Sequence, residues 1–152
     1  MGEKTILSKE LLHNLFNYCD GVLYWKKRNG NKAGTDSGRY LQTAINKKLY
    51  GNHRLIFMMH YGYLPKNVDH INNNTYDNKI ENLRKATNSQ NCANAKLRKD
   101  SKTNVKNVTN CGKKYRVVLK GKHFGLFEDL ELAELVATEV RNKYYGEFAN
   151  HG

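Results

Sequence analysis

Apolar residues in the first half of the chain recur at two spacings. Leu11, Leu12, Leu15 and Phe16 fall at helical intervals behind Ser8, which can cap a short helix. Val22–Trp25 is a short apolar run bounded by Asp20-Gly21 and by the basic, glycine-rich stretch 26–34, and this predicts a strand. Residues 40–50 alternate weakly about Asn46-Lys47-Lys48, as a hairpin does. Over residues 53–61, Leu55, Ile56, Met59 and His60 return to a helical period, which Gly62 stops. Pro65, the only proline, fixes the approach to a second short apolar run at Val68.

Further along, residues 88 to about 99 are helical in character, and 99–104 has no hydrophobic period. Residues 105–108, Lys114–Leu119 and 123–127 then read as strands, with turns at Asn110-Cys111-Gly112 and Lys120-Gly121-Lys122. Asp129 caps a last helix with the apolar stripe Leu132, Ala133, Val136, Ala137, Val140 and Tyr144. Glu131 and Glu134 in its first turns suit the helix dipole. The pattern predicts an α+β chain of two domains, residues 1–98 and 104–150, joined by a linker at 99–103.

Charge sharpens this division. The formal net charge is +12, which favours a polyanionic partner because neutralised phosphates release condensed counterions. From Cys92 to His123 there are ten basic side chains against one acidic, Asp100, whereas the stretch after His123 is net acidic. There is no basic amphipathic helix of the kind that lies on membranes, no apolar run of spanning length and no signal-like opening segment, so a cytoplasmic protein without a membrane partner is expected. Cys19, Cys92 and Cys111 are too widely spaced for a zinc knuckle or disulfide framework, so no structural zinc is expected.

The chemistry concentrates in Val68-Asp69-His70-Ile71-Asn72-Asn73-Asn74, then Glu81-Asn82-Leu83-Arg84 and Asn88-Ser89-Gln90-Asn91. An imidazole held in one orientation can take a proton from water, and a carboxylate with an amide can hold a hard divalent cation beside a phosphodiester. Side chains alternate along a regular strand, so Asp69 and His70 can serve one centre only where the strand ends. Asn and Asp also cap turns for purely local reasons, and Asn88 or Asn94 could replace Asn91 if the helix register differs.

Residues 53–96 resemble the HNH, or ββα-metal, region of phage-type and intron-encoded homing endonucleases. The likeness extends to His53-Arg54-Leu55 and to the Gly-Tyr-Leu-Pro loop ahead of the Asp-His pair. It implies a small ββα-metal nuclease core with a β-rich N-terminal extension. It makes His70 the general base, Asp69 and Asn91 the metal ligands, and Asn82 the brace of the loop between two strands. Mg²⁺ is the expected cation, with Mn²⁺ as the alternative.

Residues 104–150 resemble the DNA-binding domain of the Apetala/ethylene-response-factor type, which also occurs fused to HNH nucleases. The likeness is carried by Lys114-Tyr115-Arg116-Val117, Lys122-His123-Phe124-Gly125-Leu126-Phe127 and the closing Tyr144-Tyr145-Gly146-Glu147-Phe148-Ala149. It implies a three-stranded antiparallel sheet packed on one helix. Strand alternation sets Lys114 and Arg116 against Tyr115, Val117 and Leu119. Arg116 is the expected base reader, and Lys113, Lys114, Lys120 and Lys122 are expected at phosphates. Arg84, His53 and Arg54 are further DNA-contact candidates, with Trp25, Lys26, Lys27, Arg28 and Arg39 as an extension of the footprint.

The resulting expectation is a metal-dependent, site-recognising DNA endonuclease that nicks double-stranded DNA to 5′-phosphate and 3′-hydroxyl. It would act as a monomer, with a dimer as the alternative, in the cytoplasm (that of the host cell if phage-encoded). The rival readings are a non-catalytic DNA-binding protein on an HNH-like scaffold and an RNA binder. The chain lacks an aromatic RNP-type strand and a Gly-x-x-Gly clamp, which counts against RNA.

Overall fold

The computed structural model describes residues 7–27 and 29–152; Arg28 lies outside the described residues. Within them the chain is mixed α+β, with four α-helices and several small antiparallel sheets. Its contacts divide it into two units, residues 1–87 and 88–152.

The first unit opens with α1, Lys9–Leu15, where Ser8 Oγ accepts the Leu11 N–H at 3.1 Å. Phe16, read above as helical, instead begins β1, Phe16–Cys19, which pairs with β2, Val22–Trp25. Its ring packs on Trp25 directly across the ladder, with centroids 4.4 Å apart, and that cross-strand pair outweighs one more helical residue. Asp20 and Gly21, both at positive φ, close the two-residue turn. A second sheet joins β3, Thr35–Asp36, to β4, Leu41–Ile45, and β5, Lys48–Gly51, with the β4–β5 turn at Asn46-Lys47, also both at positive φ.

Helix α2, Asn52–Tyr61, is the centre of this unit. Leu55, Ile56, Phe57, Met58 and Met59 are all buried, so almost its whole circumference is covered by protein. Gly62, at φ +77, ends it and donates its N–H to Met58 O. Leu12, Phe16, Leu23 and Leu83 share its core. The unit closes with β6, Asn67–His70, paired antiparallel to β7, Leu83–Ala86.

The second unit begins with α3, Asn88–Asn94, which stops well short of residue 99. Its sequence, NSQNCAN, is poor in strong helix formers and has no apolar stripe to extend it. Residues 99–103 fall within the second unit. Thr103 is buried there, and its Oγ1 lies within hydrogen-bond reach of the carbonyls of Val105 and Val108. Asn104 and Asn107 at positive φ make 103–107 a turn, so the strand expected at 105–108 starts only at Val108.

The sheet order is β10-β9-β8, from β8 (Val108–Cys111), β9 (Lys114–Leu119) and β10 (Lys122–Phe127). It packs on α4, Leu130–Tyr145, whose N-terminus is capped by Asp129 Oδ1 accepting from Glu131 N at 3.0 Å. The buried line of α4 is Ala133, Ala137 and Arg141, four residues apart. Leu132 (48% exposed) and Tyr144 (38%) turn outward, which corrects the stripe read from the sequence; Ala133 and Ala137 take the buried positions, with Leu130 and Val136 packed beside them. No helix among the described residues is long and apolar enough to cross a membrane.

Candidate active site

Strand β6 ends at His70, and the chain turns at Ile71-Asn72 before Asn73 adopts a left-handed φ of 59°. Asp69 and His70 are each 5% exposed. Asp69 faces Arg84 across the ladder, and its Oδ2 accepts the Arg84 Nε–H at 3.0 Å. His70 Nε2 lies 2.9 Å from Oδ1 of Asn78, which is 2% exposed. An amide oxygen only accepts, so this contact is made by a ring that carries a proton on Nε2.

The loop from 71 to 82 is tied by asparagines. Asn82 Oδ1 accepts from Asn72 N, while its Nδ2 donates to Asn72 Oδ1 and to Asp77 O. Ile71 N donates to Asn82 O, so both ends of the loop are joined by backbone and side chain together. The β1–β2 turn braces the same loop from outside. Tyr18 Oη accepts from Ile80 N, Lys79 pairs with Asp20 at 2.9 Å, and a Cβ on Gly21 would come within 2.8 Å of Lys79 N.

The His70 ring has His53 as an aromatic neighbour, with centroids 5.1 Å apart, and Tyr40 at 6.3 Å. His53 sits in the first turn of α2, fixed there by buried Asn52, which bonds Thr43 Oγ1 and Ala33 O. Gly51 leaves room for the imidazole, since a Cβ there would lie 2.5 Å from His53 Cε1. Burial, then the charges of His70 and Arg54, hold the His53 pKa down at about 3. His53 is therefore a neutral ring, and its buried Nδ1 has no hydrogen-bond partner among the described residues.

Arg54 donates to the carbonyls of Lys66 and Pro65 and fixes the chain entering β6. Asn91 stands exposed on α3 in the second unit. Among the described residues no three His, Cys, Asp or Glu side chains gather as metal ligands. In the second unit, Lys114 and Arg116 are exposed while Val117 and Leu119 are buried and Tyr115 half-buried. Arg116 donates to Cys111 Sγ, and Lys114 pairs with Glu128 at 3.1 Å. Lys113 is exposed in the β8–β9 turn. Lys120 lies over Tyr145, 4.7 Å from its centroid, and Lys122 over Tyr144 at 5.9 Å.

Asp69 and His70 are thus both buried at the end of β6, where the asparagine brace closes the loop that leads to β7. Residues 50–93 match the family model of an HNH endonuclease. The match covers well under half of the 152-residue chain and contains Asp69, His70, Asn82 and Asn91. It supports a nuclease, and HNH nucleases generally use a divalent metal ion. No curated protein and no solved structure matches the chain.

Asn78 escaped the sequence reading. It lies eight residues past His70 in a run already rich in asparagine, and nothing local distinguishes the one that folds back onto the imidazole. Tyr40 is marked only by being aromatic near a hairpin.

Proposed function

We propose that the protein is a metal-dependent, site-recognising endonuclease of double-stranded DNA. His70 is the general base. With Nε2–H held by Asn78, its Nδ1 takes a proton from water as the water oxygen bonds to phosphorus. The bond from phosphorus to the 3′ oxygen breaks and the leaving oxygen takes a proton from solvent, giving 5′-phosphate and 3′-hydroxyl. Neutral His53 adds no positive charge beside His70 and so does not oppose formation of the imidazolium.

The Asp69 carboxylate and the Asn91 amide each offer oxygen rather than sulfur, the donor type a hard cation takes. When bound, Mg²⁺ supplies Lewis-acid stabilisation of the phosphorane and of the leaving oxygen. Asp69 now accepts from Arg84, so its carboxylate must be shared with that guanidinium or released by it. One centre per chain cuts one strand at a time, hence nicking by a monomer. The second unit supplies address and affinity, with Arg116 reading bases and Lys113, Lys114, Lys120 and Lys122 at phosphates.

The observation that carries this reading is the buried His70–Asn78 pair at the end of a strand within the HNH match. The Arg84–Asp69 ion pair is what favours the rival, a DNA-binding scaffold without catalysis. Supercoiled DNA bearing candidate target sequence, incubated with Mg²⁺ or EDTA and with wild type or His70→Ala, separates the two. Open-circle product that requires both Mg²⁺ and His70 supports the nuclease. Tight duplex binding with no cleavage at a confirmed bound site leaves the scaffold.

A further inference from the structure

Arg141 is 3% exposed, near the end of α4. Its Nη2 has no hydrogen-bond partner, and among the described residues it joins no ion pair. A guanidinium nitrogen that has lost its water and gained no acceptor is costly, and buried charges in folded proteins are ordinarily paired. Lys106, 9% exposed, lies in the same region. Its Nζ donates to the carbonyl and the side-chain oxygen of Asn150, both neutral, at 2.9 and 2.6 Å. Two buried cations therefore lie near each other with no carboxylate on either among the described residues. Burial, then the charge of Arg141, pulls the Lys106 ammonium down to about 8.

Both residues line a cavity of about 730 Å³ within the second unit. That volume lies in the roughly 300–1,000 Å³ range of ligand clefts. Lys96, Arg98 and Lys102 also line it, against Asp100 as the one acidic side chain among the lining residues. An anion is the ligand such a wall selects. A planar guanidinium and an ammonium together match the oxygens of a phosphate better than those of a carboxylate, which could neutralise only one of the two.

We propose that this cavity is a phosphate-binding site, in which Arg141 and Lys106 hold the phosphate oxygens from inside and the lysines at its rim draw the anion in. It is distinct from the free face of the sheet, since Arg141 belongs to the helix packed on the other face. It does not depend on cleavage and stands whether or not the nuclease reading holds. The phosphate can belong to a nucleic-acid backbone or to a small free anion, and the chemistry at the cavity is the same.

The test is calorimetric titration of the full chain with inorganic phosphate, on wild type, Arg141→Gln and Lys106→Gln, with melting temperatures taken in parallel. Wild type should bind phosphate saturably, one per chain, and melt higher in its presence. Each variant should bind about tenfold more weakly or worse, as expected for a lost charged hydrogen bond. Without phosphate, Arg141→Gln should melt no lower than wild type, because it removes an unpaired buried charge. A purely structural arginine would give the opposite. No saturable binding by wild type, or binding by both variants as tight as that of wild type, overturns the site. If Arg141→Gln does not fold, Lys106→Gln and the wild-type titration decide. Repeating the titration with saturating duplex DNA identifies the source: displacement assigns a backbone phosphate, undiminished binding a small anion, and either upholds the site.

Discussion

Oδ1 of Asn78 lies 2.9 Å from Nε2 of His70, and the two side chains are 2% and 5% exposed. With so little water present, this bond bears directly on which ring nitrogen carries the proton. Asn78→Ala should lower kcat by roughly the 10–100-fold lost when a partner orienting a histidine is removed. His70→Ala should lose more, about 10²–10⁴-fold. Asn78→Asp places a negative charge beside the ring and should move the acid limb of the kcat–pH profile upward. An unchanged profile in both Asn78 variants would mean that the base is oriented by something else.

Asp69 and Arg84 present a competition. Both side chains are largely buried, at 6% and 13%, so removing one leaves the other poorly solvated and should cost about 3–5 kcal/mol of stability. Arg84→Ala should therefore unfold more easily in the absence of metal. It should also recover more stability than wild type on adding Mg²⁺, since the cation then meets a carboxylate with no guanidinium on it. Asp69→Asn should show no such recovery. Denaturant melts with and without Mg²⁺ read both effects. Equal Mg²⁺ shifts in wild type and Arg84→Ala would remove Asp69 from the metal site.

Much of the scaffold was legible because local signals and tertiary packing agree. Ser8, Gly62 and Asp129 mark helix ends by caps that the structure contains, and Asn46-Lys47 turns where alternation breaks. What could not be read depends on contacts far apart in sequence. Phe16 leaves its helix for Trp25, Val105 lies in a turn that Thr103 organises, and Leu132 yields the inner face of α4 to alanines and a buried arginine. The site divides the same way. Asp69 and His70 stand out as a motif, whereas Asn78 is defined by where the loop folds and Arg141 by what surrounds it.

Gly21 links the N-terminal hairpin to this chemistry without touching it. At φ +83 a side chain is already strained, by about 1–2 kcal/mol, and a Cβ would also press to within 2.8 Å of Lys79 N and 3.0 Å of Asn78 C. Gly21→Ala should therefore lower the melting temperature and, more tellingly, reduce kcat by displacing the backbone that carries Asn78. Gly30→Ala is the control: it has the same sign of φ, at +69, but nothing within 4 Å of the added carbon. It should destabilise slightly and leave kcat alone. If both variants lose activity in proportion to stability, the hairpin has no specific hold on the site.

His53 makes stability depend on pH in a direction that can be worked out. In the unfolded chain the imidazole takes a proton near 6.5, but in the folded protein burial, His70 and Arg54 delay this until about 3. Between those values the unfolded state binds more protons, so stability is complete above 6.5 and drains away as pH falls toward 3. The limiting slope from one such group is about 1.4 kcal/mol per pH unit. His53→Gln removes the proton uptake while keeping a polar side chain of similar reach. Urea unfolding across this window should show the variant losing less stability on acidification than wild type, even if it starts lower at neutral pH. Parallel curves for the two proteins would show that His53 is not held neutral by the fold, and the uncharged ring beside His70 would be lost with it.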